Sequence, residues 1–270
     1  MVELKRFNNT TLSRIENRTL LQELRPYLGM SKIGHACARN LWYSFRWAAQ
    51  KEISSRMRRL FYRGHREEQA IIQELESVGV ICYGYQIELE MAFGHSKGHI
   101  DGKAIGVIEA PKTEHLLEFK TMNDKYFKQI KKEGVKKSKP VYYAQSQIYM
   151  AKEGLTRALF IAVNKNTDEY HFERLHLNEP YAKELETKAE YIITSEEPPK
   201  KLSDKPTWFE CKWCDYLEVC HYSQAYLKTC RTCQRCDIEL KGKWKCALHL
   251  IELSTEQQKI GCDSYESIRI

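Results

Sequence analysis

The spacing of apolar residues changes several times along the chain. From about Ser31 to Gln50 they recur at helical intervals (Ile33, Leu41, Trp42, Phe45), and a longer helical stretch runs from about Ser55 to Ser77 and stops at Gly79. The period then falls to two. Val80 to Met91 alternates through Ile81, Tyr83, Tyr85, Ile87 and Leu89, which predicts a strand. His99–Ile108 and His115–Met122 predict two more, with a turn at Glu109-Ala110-Pro111-Lys112 between them. Helical spacing returns over Asp124–Lys132 and Lys139–Lys152, with Gly134 separating the two and Gly154 closing the second. Leu159–Val163 reads as a short buried strand, Tyr170–Leu177 as its partner, and Pro180–Ile193 as a last amphipathic helix. Helix, three strands, helices, then strands and helix predict an α/β (α+β) domain on a mixed central sheet flanked by helices.

The breaker segment Glu196-Glu197-Pro198-Pro199-Lys200 precedes a change of composition, since eight of the ten cysteines lie between Cys211 and Cys262. The expected division is an N-terminal extension over 1–30, a main domain over 31–222 and a small cysteine-rich metal-binding module over 223–270. No run of about 18 apolar residues is present, so no membrane span is expected. The start, MVELKRFNNTTLSRIENR, lacks the apolar core of a secretory signal, so a cytoplasmic, reducing location is expected. In that setting clustered cysteines are better read as metal ligands than as disulfides.

The net charge of +7 is concentrated. Seven Lys/Arg face one acid between Arg39 and Arg63, and eight lysines face two acids between Lys120 and Lys139, which leaves the remainder mildly acidic. Two basic blocks suggest a surface for a polyanion; Arg56, Arg58, Arg59, Lys125, Lys128, Lys131 and Lys132 are the candidate DNA contacts. Tyr142 and Tyr143, beside the second block, are candidates for stacking on unpaired bases.

The third predicted strand carries Glu118-Phe119-Lys120. Residues i and i+2 of a strand share a face, so Glu118 and Lys120 project together and Phe119 points away. The preceding hairpin supplies Gly98-His99-Ile100-Asp101-Gly102, whose glycines let a ligand or backbone come close to Asp101. Two carboxylates with bound water suit Mg²⁺ or Mn²⁺. Such an ion activates water for attack on a phosphoryl centre, with Lys120 orienting that water or stabilising developing charge. Upstream, His65 and Glu68 of Gly64-His65-Arg66-Glu67-Glu68 share a helix face, and either could be a third ligand. Downstream, Gln145 and Tyr149 stand one helical turn apart and could touch a phosphate or the lysine.

The series G-x-x-x-E, G-H-x-D-G, E-F-K and Q-x-x-x-Y, in this order, resembles the RecB-like branch of the PD-(D/E)XK nucleases over roughly residues 30–222. The resemblance implies a catalytic set of Glu68, Asp101, Glu118, Lys120, Gln145 and Tyr149, with Asp101 and Glu118 on the metal. It implies a metal-dependent DNA nuclease, an exonuclease by analogy, acting on single-stranded DNA or free ends. A helicase, recombination or CRISPR-type protein would be a separate partner, since no G-x-x-x-x-G-K-[ST] is present.

Cys211-x2-Cys214-x5-Cys220 supplies three thiolates and needs a fourth donor. The stretch around Cys37, from Ser31 to Tyr43, again resembles iron–sulfur members of that branch, which have one cysteine before the core and three after it. The resemblance implies a [4Fe–4S] cluster on Cys37, Cys211, Cys214 and Cys220, with zinc as the alternative in the same thiolates. Cys230-x2-Cys233 and Cys246-x2-His249 have the spacing of a zinc ribbon, and Cys236 could replace one ligand. Cys82 and Cys262 are expected to be unpaired. Two other functions compete with a nuclease. One is a non-catalytic nucleic-acid-binding protein with two structural metal sites; the other is a zinc adaptor that binds protein.

Overall fold

The computed structural model describes residues 10–18 and 20–268, so residues 1–9 of the expected N-terminal extension lie outside the described residues. In chain order it holds α1 (Thr11–Glu16), β1 (Leu20–Leu21), β2 (Leu28–Gly29), α2 (Ala38–Arg46), β3 (Glu52–Ile53), α3 (Ser55–Ser77), β4 (Ile81–Tyr83), β5 (Glu88–Met91), β6 (Ser96–His99), β7 (Gly102–Ile105) and β8 (His115–Met122). There follow α4 (Asp124–Ser138), α5 (Pro140–Glu153), β9 (Arg157–Asn164), β10 (Tyr170–His176), α6 (Glu179–Thr194), α7 (Phe209–Lys212), α8 (Leu217–His221), β11 (Cys236–Ile238), β12 (Trp244–Cys246), β13 (Ile251–Glu252) and α9 (Thr255–Lys259). Among the described residues no helix is long and apolar enough to cross a membrane.

The central sheet is mixed, with order β10-β9-β8-β7-β4. β8 and β9 are parallel, and the other pairs are antiparallel. A parallel pair needs a long crossover, which α4 and α5 supply. The two faces bury different sets. Leu117, Phe119, Leu159, Ile161 and Val163 pack under Ile71 and Leu75 of α3. Leu116, Ala158, Phe160 and Ala162 face the larger core formed with α2, α5 and α6. The expected mixed sheet flanked by helices is therefore present, with a cysteine-rich C-terminal segment added to it.

Local rules account for most boundaries. Ser54 caps α3 by accepting from Met57 N, and the helix ends before Gly79 at φ +88°. Asn123 and Asn178 cap α4 and α6 in the same way. Gly134, at φ +76° and ψ 166°, interrupts the helical backbone of α4, so the first predicted helix ends there and a short helical turn follows before α5. The Glu173 carboxylate accepts from Val135 N just past the kink. The predicted helix over Ser31–Gln50 is shortened to α2. Met30–Lys32 form a 3₁₀ turn before it, and Trp47 ends it in the left-handed region.

The predicted strand Val80–Met91 is broken in two, and His99–Ile108 is shortened to β7, with His99 closing β6 before the break. Gly84 and Gln86 at positive φ divide the first, and Ile100–Asp101 divide the second. β4 pairs with β7 in the central sheet, while β5 pairs with β6 in a second sheet that includes β2. One long hairpin is thus bent across two sheets. Gln86 N donates to Ile100 O and Ile100 N to Ile87 O, which holds the bend.

The C-terminal segment is not a free appendage. Trp244 is fully buried and packs on Phe45 and His95, and Cys233, Cys236, Leu253 and Ile268 join the main core. This burial supplements whatever a metal contributes to its folding.

Candidate active site

Asp101 sits at the bend of the hairpin, outside both ladders. Its Oδ2 accepts from Phe119 N at 2.8 Å, which fixes it against the middle of β8. Glu118 and Lys120 share the opposite face of β8 from Phe119, as their spacing predicts. Glu118 is fully buried. Its Oε1 pairs with Lys120 Nζ, and its Oε2 accepts from Gln145 Nε2 at 3.0 Å. Lys120 Nζ also lies 5.4 Å from the centre of the Tyr142 ring.

Gln145 and Tyr149 follow one another up the sheet-facing side of α5. Tyr149 is buried, is hydrogen-bonded to Gln145, and has its phenol pKa raised by burial and by Glu118. Its ring lies against Gly98, where any Cβ would overlap it. The first glycine of G-H-x-D-G, Gly98, therefore admits the Tyr149 side chain rather than the ligand or backbone the sequence suggested. Tyr149 in turn supports the strand that leads to Asp101.

Glu68 reaches the same place from α3. Burial raises its carboxyl pKa, with Asp101 adding to the rise and Lys120 and His65 opposing it. His65 stays at the surface, with Nδ1 3.8 Å from Glu68 Oε2. Burial pushes the Glu118 carboxyl up to about 8 against the pull of Lys120, while Glu118 and Asp101 hold Lys120 protonated despite its own burial. Three carboxyl groups gathered around one ammonium are hard oxygen donors, and donors of that kind suit a hard divalent cation. Among the described residues, no three His, Cys, Asp or Glu side chains already stand together as a closed metal cage.

The set opens into a cleft of about 560 Å³ between the first half of α3 and the start of the chain. Lys120 and Thr121 form its floor, and Phe61, Gly64, His65 and Glu68 its α3 wall. Gln22, Glu23 and Arg25 lie on the other side. This N-terminal strap carries no motif and was missed by sequence reasoning. Its only signal was the Gln22–Arg25 mixture of charge and amide, which is too common to read.

The basic blocks are partly spent within the chain. Arg58 donates to Arg18 O and Ser55 Oγ, Arg59 pairs with Glu16, Lys128 with Asp124, and Lys131 lies 3.9 Å from Glu169. Arg56, Lys125 and Lys132 are exposed. Tyr143 is buried and stacks on Tyr181, and Tyr142 stacks on Phe160, so neither offers the free face expected for a base.

Cys37 lines one small cavity with Cys211, Cys214 and Cys220, although they come from opposite ends of the domain. Asn40 Nδ2 and Tyr216 N approach Cys214 Sγ at 3.2 and 3.4 Å. Burial raises the Cys211 pKa, with the other three thiols adding to it. A second cavity, of about 270 Å³, is lined by Cys230, Cys233, Cys246 and His249, and also by Cys236 and Cys262. Cys262 Sγ lies 3.9 Å from His249 Nε2, so it is less isolated than expected. Cys236 faces Arg46 and Arg231, and burial pushes its thiol up to about 12.

No family model and no curated protein matches this chain. Among solved structures, the alkaline exonuclease LHK-Exo of Laribacter hongkongensis is 20% identical over 62% of this chain and 86% of that one, with a TM-score of 0.45. LHK-Exo in complex with dAMP gives 19%, 63%, 87% and 0.45. SSO0001 is 13% identical over 79% of this chain and 98% of that one, with a TM-score of 0.44. Likenesses of this size leave the site to be read from this chain's own residues.

Proposed function

We propose that the protein is a divalent-metal-dependent deoxyribonuclease that hydrolyses phosphodiester bonds in the cleft beside α3. The observation that carries this reading is the convergence of Glu68 from α3, Asp101 from the hairpin bend, and Glu118 and Lys120 from β8, with Glu68 and Lys120 lining the cleft. A buried carboxylate paired to a lysine is costly as structure alone, and here two further carboxylates crowd the same ammonium. Asp101 and Glu118 would hold Mg²⁺ or Mn²⁺, with Glu68 or His65 as the third donor. When bound, that ion polarises a phosphoryl oxygen and lowers the pKa of a water.

Lys120, kept protonated by its two carboxylates, serves as a fixed cation for negative charge developing on the phosphate. Gln145 holds the Glu118 carboxylate in place, and Tyr149 holds Gln145; both are positioning residues. Arg56, Lys125 and Lys132, together with the partly paired Arg58, Arg59, Lys128 and Lys131, would attract DNA with free ends or single strands. The reading is of an intracellular enzyme, with any helicase, recombination or CRISPR-type protein as a separate partner.

The four thiols Cys37, Cys211, Cys214 and Cys220 suit a [4Fe–4S] cluster, with zinc as the alternative. Cys230, Cys233 and Cys246 suit Zn²⁺, with His249 and Cys262 competing for the fourth place. Digestion of end-labelled linear, circular and single-stranded DNA with Mg²⁺ or Mn²⁺ tests the nuclease. Wild type should degrade DNA, and Glu118→Gln and Lys120→Met should each lose at least about 100-fold. Equal cutting by the variants and wild type would remove the site from this place.

A further inference from the structure

Gly64 lies inside α3, a helix of 23 residues. Glycine weakens a helix interior relative to alanine, because it gives up more backbone freedom on folding. Nothing in the fold asks for it here: a Cβ built at Gly64 meets no atom within 4 Å, and its φ is not in the left-handed region. It lies on the cleft wall, one turn before Glu68. One turn before Gly64 on the same wall is Phe61, 52% exposed, the exposed aromatic among the residues that line the cleft. Residues 61, 64, 65 and 68 share one helix face. Phe61 and Glu68 are separated along the axis by about 10 Å, or about three stacked nucleotide steps of one strand.

We propose that this wall is a nucleotide subsite: Phe61 stacks on a base near the bond that is cut, and Gly64 leaves room for the sugar–phosphate running past it. The proposal rests on the reading of the cleft as a phosphodiester-cleaving site. It assigns the stacking role to Phe61, which the sequence had offered to Tyr142 and Tyr143. Arg25 and Glu23 line the opposite side of the cleft. Tyr62 and Arg66, paired at 5.3 Å, are not among the cleft-lining residues, and take no part.

The test uses the full chain and end-labelled single-stranded oligonucleotides, each with one abasic position at a stepwise distance from the cut bond. For wild type, one or two adjacent abasic positions should slow cleavage by about 5- to 150-fold, the size of one base stack. Phe61→Ala should be slowed by a similar factor on intact DNA and be indifferent to those same abasic positions. Phe61→Trp should restore both rate and sensitivity. Gly64→Leu should melt no lower than wild type, since leucine is the better helix former and its Cβ meets no protein atom, yet cut at least about 5-fold more slowly. If Phe61→Ala keeps the wild-type abasic profile, or Gly64→Leu cuts at the wild-type rate, the subsite is overturned while the nuclease stands. If wild type cuts no DNA, the nuclease reading fails and the subsite with it.

Discussion

Gly98 and Tyr149 are 51 positions apart, and neither is informative alone. Together they set the height of the hairpin that presents Asp101, because the phenol fills the space where a Cβ would stand. Gly98→Ala should therefore destabilise the fold by about 1–3 kcal/mol, the usual cost of overpacking. Thermal melting measures this, and an unchanged melting temperature would mean the ring moves freely. Glu118, Lys120, Gln145 and Tyr149 were legible as candidates because strand and helix periods dictate which side chains share a face. Their partners were not, since nothing local says that Oε2 of Glu118 is held by a helix 27 residues on. His95 had no sequence signal at all. It is fully buried, packs edge-on to Phe45 and Trp244, and its Nε2 bonds Glu239 O at 2.7 Å. Burial pushes its pKa below 6.5, with Arg231 and Arg46 adding to the fall. The unfolded chain then binds the proton more tightly. The stability contributed is whole above pH 6.5 and is lost as pH falls through the lowered folded value. Melting temperature should drop on acidification below pH 6.5, and His95→Gln should flatten that drop. His115, buried with its pKa lowered in the same way, keeps part of it. An identical slope in His95→Gln would exclude His95 as a source.

At the scale of elements, long helices were the easiest to read. α3 begins and ends where the serine cap and Gly79 place it, because those signals act within one turn. The hairpin over residues 81–105 was misread as two unbroken strands. Alternation continues through a bend, and only the pairing partners reveal that β4 and β5 belong to different sheets. That bend is what puts Asp101 beside β8. The strap over Gln22–Arg25 was equally hidden, since it is held by distant residues. Arg231, from the C-terminal segment, donates to Pro26 O at 2.7 Å and Phe45 O at 3.0 Å. It also bonds Gln258 and lies 3.9 Å from the Trp47 ring, whose Nε1 donates to Arg25 O. The C-terminal segment thus anchors one side of the cleft. Arg231→Met should leave these carbonyls unpaired, cost about 3 kcal/mol, and expose the strap to proteolysis. Limited digestion followed by mass mapping would show cleavage within residues 20–27; resistance equal to wild type would mean the anchor lies elsewhere.

Across the whole molecule, the cysteines divide between two cavities. The first brings Cys37 beside the Cys211–Cys220 segment from the other end of the main domain. A metal group held by all four would close that long loop and so restrict the unfolded chain. Protein purified without oxygen should be brown and carry about four irons per chain. Cys214→Ser should bleach it and lower its melting temperature, as read by visible absorbance and calorimetry. Colourless wild type with zinc alone would replace the cluster with zinc and leave the fold intact. What the sequence determined by itself were the properties that depend on neighbours along the chain: element types, most helix caps, and the shared faces of Glu118 with Lys120 and Gln145 with Tyr149. It also set the clustered cysteines at spacings that suit metal ligands. Tertiary structure alone decided which of these meet. The bent hairpin, the strap at the cleft and the docking of Trp244 depend on contacts between residues far apart in sequence. Their energy comes from burial and packing, which leave no periodic trace in the chain that makes them.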